Sequence, residues 1–230
     1  DLALEIEPLF PETKSAKMSR WQLVKFDKSL DLRATAERIA ESESVECVEF
    51  DLPVKRITGQ KVAMPITKPE PTRSVVMPFD DPELPWQWHY YNDGSLSEYA
   101  DNKAYCLAGA DINLFNAWKY TAGDKRVIVA VMDGGVMTNH PDLEDNMWVN
   151  EAEQFGLTGV DDDNNGYVDD IHGYNFVYDN GNVTADDHGT HVAGTISAVN
   201  NNGYAVCGIA GGTGKGDGVR LMSIQIFDGE

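Results

Sequence analysis

The sequence predicts an α/β protein, a parallel sheet flanked by helices, preceded by a small α+β domain. Two runs and one asymmetry carry that expectation. Val127–Met132 (VIVAVM) is a continuous β-branched run of the kind buried on both faces of a parallel sheet. Val219–Phe227 (VRLMSIQIF) is a second such run, and it follows a helix expected from about His188 to Val199, giving the strand–helix–strand alternation of an α/β fold. The asymmetry is in charge: residues 1–78 hold 13 acidic and 12 basic side chains, while residues 79–230 hold 25 and 6. These are two kinds of domain, 1–78 and 79–230. The second begins after a segment, VAMPITKPEPTRSVVMPF, whose prolines at 65, 69, 71 and 78 forbid a helix, so it reads as a linker.

In the first domain, Trp21–Phe26 (WQLVKF) and Val45–Phe50 alternate like strands, and Leu32–Glu43 has apolar residues at helical spacing. Asp31 stands where its carboxylate can cap that helix. Residues 1–20 carry no clear pattern.

With 42% hydrophobic and 24% charged residues the chain can bury a core. A formal net charge of -20 argues against phosphate-tracking nucleic-acid binding and favours holding cations. No apolar stretch approaches the roughly 20 residues that span a bilayer, so no membrane-spanning segment is expected. The opening DLALEIEPLF lacks the features of a signal peptide, although a leader could have been trimmed away. Cys47, Cys106 and Cys207 lie too far apart for a zinc cluster or a disulfide scaffold.

Several segments carry chemistry. Asp133 ends the first buried run and is followed by Gly134 and Gly135, which allow a sharp turn at the rim of the sheet, where ligands of parallel sheets gather. Read alone, it is a turn aspartate. In DDHGTHVAGTISA, His188 falls in the first turn of a helix, and Gly189 and Gly194 leave room for close backbone approach. Read alone, His188 is a helix-start histidine satisfied by a neighbouring carboxylate. Asp161, Asp163, Asn165, Gly166, Tyr167 and Asp169 follow the start of an EF-hand-type calcium loop, with oxygen donors at alternate positions. The glutamate expected at the twelfth position is His172, so Asp169 or Asp170 must close the shell. A merely solvated loop is disfavoured because aspartates this close repel unless a cation compensates.

VIVAVMDGG, NHPDL from Asn139 and HGTHVAGT from His188, in that order, closely resemble the subtilisin-like serine peptidases, and GADINLFNAW, NNNGYAVCGIAGG and VRLMSIQIFDG extend the resemblance over most of residues 79–230. The resemblance implies a subtilisin-like parallel sheet, incomplete here, with Asp133 as triad acid and His188 as general base. His191, one turn further on, is expected to be a packed, hydrogen-bonded helix residue. Gly134 departs from the family's usual Thr or Ser.

The family's nucleophile motif and its oxyanion-hole Asn have no counterpart in these residues. Ser223 falls in a strand and Ser197 in a helix, neither on a glycine-flanked turn. In subtilisin itself, loss of the serine or the histidine costs about 10⁶-fold in turnover. The expectation is therefore a serine endopeptidase precursor whose Ser lies beyond this chain, with the chain alone inactive. The alternative is a noncatalytic calcium-binding or inhibitory fragment. By resemblance, residues 1 to about 77 correspond to a prodomain, and the implied partners are a peptide substrate, that prodomain and the C-terminal remainder of the catalytic domain. The resemblance and the calcium need imply an extracytoplasmic setting. It also implies a tight calcium site from Asp81, Asp142 and Asn202 with carbonyls of Asn200, Tyr204 and Val206.

Two decoys are set aside. GGTGKG from Gly211 lacks the first glycine and the Ser/Thr of a phosphate loop and reads as a surface connection. Cys207 reads as a small buried hydrophobe.

Overall fold

A computed structural model describes residues 5–11, 16, 18–50, 76–95 and 107–228. The chain divides into two units, Asp1–Lys55 and Arg56–Glu230. Most of the proline-rich segment, and Cys106, lie outside the described residues.

In the first unit β1 (Glu5–Pro8) pairs antiparallel with β2 (Gln22–Lys25), Ile6 opposite Val24. Helix α1 (Leu32–Ala40) starts where Asp31 Oδ1 accepts the Ala34 amide at 2.7 Å, satisfying one of the donors a helix start leaves open. The expected strand at Val45–Phe50 does not form. An alternating run becomes a strand only when a ladder partner is at hand, and β2 is paired with β1, from the stretch that gave no sequence signal. Thr35 is the one buried residue among the described residues of this unit; Ile6, Leu9, Phe10, Leu30, Leu32 and Phe50 are exposed.

The second unit is α/β. Its parallel sheet runs β3 (Ile128–Asp133), β5 (Arg220–Gln225), β4 (Gly173–Asn175), with β5 in the centre. Asp133 is in register with Gln225, and Gln225 with Asn175, so the carboxyl ends of all three strands meet. Short helices α2 (Leu114–Ala117) and α3 (Glu151–Phe155) precede and follow β3, and α4 (Asp187–Ser197) packs on β3 and β5. Val131, Val136, Leu143, Met147, Ala193, Ala198 and Leu221 form the core under α4. A second cluster, Leu84, Tyr90, Leu114 and Cys207, gathers Met77 and Phe79.

Two expectations are overturned here. The VIVAVM run is buried on one face only: Val131 and Asp133 are covered, whereas Ile128 and Met132 are 48% and 62% exposed. Among the described residues β3 has one neighbour, β5, and α4 covers a single face of it. Gly194 is not a point of close approach either, since a Cβ there would meet nothing within 4 Å.

Leu221, fully buried on the central strand, is the most direct test of this core. Leu221→Ala should lower the unfolding free energy by roughly 3 kcal/mol in urea titration; a loss below about 1 kcal/mol would mean that the sheet and α4 are not packed as described.

Candidate active site and acidic clusters

Two elements deliver the central pair. β3 ends on Asp133, which is buried, and its Oδ1 accepts the Gly134 amide at 2.7 Å. α4 begins at a true cap, Asp186, whose carboxylate accepts the Gly189 amide at 2.8 Å, and this puts His188 in the first turn. His188 Nδ1 then lies 2.7 Å from Asp133 Oδ2, with the imidazole 42% exposed. The approach is possible because residue 189 is glycine: a Cβ there would stand 2.0 Å from the Gly135 carbonyl oxygen. Gly134 does by its main chain part of what a hydroxyl would do, holding the far carboxylate oxygen. Asp186 completes a trio with Asp133 and His188 whose ligand atoms lie within 4.8 Å, a spacing a metal could also bridge. The direct His188–Asp133 bond and the helix cap already occupy these groups.

An imidazole whose Nδ1 is held by a buried carboxylate is fixed in one tautomer, with Nε2 as its basic atom. His191 differs from expectation: it is exposed at the surface of α4 rather than packed.

Around the loop after β3's partner helix, two buried carboxylates face each other's charge. Asp81 and Asp142 are each 2% exposed. Asp142 accepts from Asn202 Nδ2 at 2.9 Å and the Val206 amide at 3.1 Å; burial pushes its carboxyl up, and the Asp81 charge adds to this. Asp81 Oδ2 accepts the Asn201 amide at 2.7 Å, but its Oδ1 is buried without a hydrogen-bond donor. A buried, orphaned carboxylate oxygen beside a second carboxylate fits a cation better than it fits an apo protein. The Asn200 side chain is committed elsewhere, to Gly212 O and the Gly208 amide, so only its carbonyl is available. Asn202 Oδ1 takes the Tyr204 amide. Cys207 is fully buried, and burial first, then the Asp81 charge, pushes its thiol far above the ordinary range, which makes it inert.

The acidic loop gathers Asp161, Asp163, Asn165 and Asp170. Asp161 takes the Asn165 and Gly166 amides, at 3.0 and 2.9 Å. Asn150 Nδ2 bridges Asp163 and Asp170 at 3.0 and 2.7 Å, and the former bond is the main cause of the lowered Asp163 carboxyl. Burial raises Asp170, with Asp163 and Glu153 adding to it. Asp170 closes this cluster; Asp169 does not, since its carboxylate turns to the Gly159 amide. The Tyr167 ring packs at 4.8 Å from Tyr174, and its amide donates to Asn165 Oδ1 at 2.7 Å.

Sequence reading missed Glu153 and Asn150. Glu153, 4% exposed on α3, has ligand atoms within 4.8 Å of Asp161 and Asp163, and it takes the amides of Asp162 and Asp169 at 2.7 and 2.8 Å. No spacing rule marks it, because it enters from a helix ahead of the loop. The GGTGKG connection is as expected no phosphate cradle: Asp217 takes the Thr213 amide and hydroxyl, at 2.7 and 2.9 Å, putting a carboxylate where an anion would sit.

These features define a hydrogen-bonded Asp–His pair at the carboxyl edge of a parallel sheet. Residues 124–229 match the model of the Subtilase family, and the chain belongs to that family through this segment. It is 52% identical over 84 residues to subtilisin-like protease 1 of Plasmodium vivax, covering 36% of this chain and 13% of that protein. To subtilisin-like protease 1 of Plasmodium falciparum it is 54% identical over 82 residues, 35% of this chain and 12% of the relative. Furin-like protease 1 of Drosophila melanogaster, isoform 1-CRR, matches at 30% identity over 152 residues, 66% of this chain and 11% of that protein. A crystal structure of the Aeromonas sobria serine protease in complex with a chaperone aligns with TM-score 0.47 and 27% identity, over 67% of this chain and 21% of that one. The matched part of the chain thus spans only 11–13% of the length of these curated relatives. No described helix is long and apolar enough to cross a membrane.

Glu153→Ala should strip three loop amides, those of Asp162, Asp163 and Asp169, of their acceptor and cost about 2 kcal/mol of stability. Urea unfolding checks it, and a loss under about 0.5 kcal/mol would mean that Glu153 does not hold the loop.

Proposed function

We propose that the chain is the prodomain and first part of the catalytic domain of a calcium-stabilised subtilisin-like serine endopeptidase. The observation that carries the reading is the 2.7 Å bond between His188 Nδ1 and Asp133 Oδ2, delivered by a strand end and a capped helix start. His188 Nε2 accepts the proton of a serine hydroxyl as that oxygen attacks the peptide carbonyl, and returns it to the leaving amine. Asp133 holds the tautomer and stabilises the imidazolium. The serine belongs to a part of the gene product beyond these residues. Ser223 and Ser197, both fully buried, do not qualify. The exposed apolar face of β3 at Ile128 and Met132 supports a further layer of the domain packed on that face, since parallel sheets are normally covered on both faces.

Calcium is proposed at both acidic centres. Asp81, Asp142 and the 200–206 loop would hold one ion, and Asp161, Asp163, Asn165, Asp170 and Glu153 another. The ion supplies positive charge to carboxylates that otherwise repel. The prodomain reading of the first unit rests on its strand and helix elements and on its apolar side chains, which among the described residues stay exposed around a single buried Thr35. Such a unit has too small a core to be stable by itself and gains by docking on a partner surface. A setting outside the cytoplasm follows from the family and from the calcium need.

Two experiments test this. The full-length gene product should be labelled by a serine-directed fluorophosphonate, and His188→Ala should abolish labelling; an intact fold that does not label contradicts the peptidase reading and leaves the noncatalytic alternative. Millimolar calcium should raise the melting temperature of the chain above its value in chelator, and Asp81→Asn should remove part of that gain. Equal melting temperatures in the two buffers would exclude a stabilising ion.

A further inference from the structure

The Asp133–His188 bond joins two separate elements, so something must fix where α4 begins relative to the end of β3. The amide of Gln225 is placed to do so. Gln225 is the last residue of the central strand, paired with Asp133 on one side and Asn175 on the other. It is fully buried. A long amide at the end of a buried strand is costly unless each polar atom is met. Here its Oε1 accepts the Thr184 amide at 2.9 Å, and its Nε2 donates to Thr184 Oγ1 at 2.7 Å and to Phe227 O at 3.3 Å.

Thr184 stands two residues before the cap Asp186 and four before His188. Its carbonyl oxygen presses on the turn after Asp133: a Cβ on Gly135 would stand 2.0 Å from it, and 3.3 Å from Gln225 Oε1. The Gly135 carbonyl in turn presses on Gly189 of α4. Strand end, turn and helix start are thus stacked in van der Waals contact, with the Gln225–Thr184 pair as the polar lock beneath. On the exposed side the Met137 amide donates to Thr190 Oγ1 at 2.9 Å, a second tie across the same turn.

We infer that Gln225 is a positioning residue: through its two-point grip on Thr184 it sets the start of α4 so that His188 Nδ1 meets Asp133 Oδ2. The inference rests on the reading of Asp133 and His188 as the triad pair. The Phe227 bond alone is long and leaves the grip to Thr184.

The test is the low-field imidazole N–H resonance of His188, recorded by NMR on the whole 230-residue chain. Wild type and Thr184→Ser, which keeps the hydroxyl, should both show it. Thr184→Val and Gln225→Met should lose it or move it upfield while remaining folded. Leu84→Ala, destabilised in the separate Leu84 cluster, should keep it, which separates positioning from general loss of stability. Should Gln225→Met fail to fold, Thr184→Val decides alone, since it removes one hydroxyl and keeps the backbone amide. An unchanged resonance in folded Thr184→Val overturns the inference. A wild-type chain without the resonance overturns the Asp133–His188 pairing and the inference with it. Failure of the fluorophosphonate labelling with the resonance behaving as expected removes the peptidase reading alone.

Discussion

The proposed peptidase chemistry of the second unit depends on one hydrogen bond between secondary-structure elements, His188 to Asp133. It requires a carboxylate held out of water, a helix that starts at a defined place, and backbones close enough for two side chains to meet. Asp133 at the end of β3 meets the first condition. The Asp186 cap meets the second, and the absence of a side chain at Gly189 meets the third. A half-exposed imidazole oriented in this way is of little use to stability and of much use to proton transfer.

A second constraint runs through the acidic half of the chain. With 25 acidic and 6 basic side chains there, ion pairing cannot satisfy the carboxylates. They are met by main-chain amides and Asn side chains instead: Asp161 by Asn165 and Gly166, Glu153 by Asp162 and Asp169, Asp163 and Asp170 by Asn150. Such neutral donors orient oxygens without cancelling charge, which leaves residual negative potential in two compact places. Asp81 Oδ1, buried with no donor, is the point at which the proposed cation has most to offer.

The sequence made the Asp–His pair legible because Asp133 and His188 each sit inside a contiguous motif, at a strand end and a helix start that the pattern also marks. The α/β class followed from two apolar runs around one helix, and the Asp31 cap from its place before α1. What depended on tertiary contacts was not legible. β1 and β4 are short and weakly patterned, and they exist through ladders with β2 and β5. The exposed face of β3 could not be told from composition, since a run of apolar residues records what a strand can tolerate and not what covers it. Glu153 and Asn150 act on a loop that begins eight or more residues downstream, and Gln225 acts across 41 residues on Thr184.

In the proposed peptidase, Asp133 serves catalysis by holding His188. The most direct measurement is steady-state turnover of a peptide by the full-length gene product carrying Asp133→Asn. A fall in kcat of about 10⁴-fold with the fold intact is expected, because the imidazole loses its oriented tautomer. A fall of less than about tenfold would contradict it.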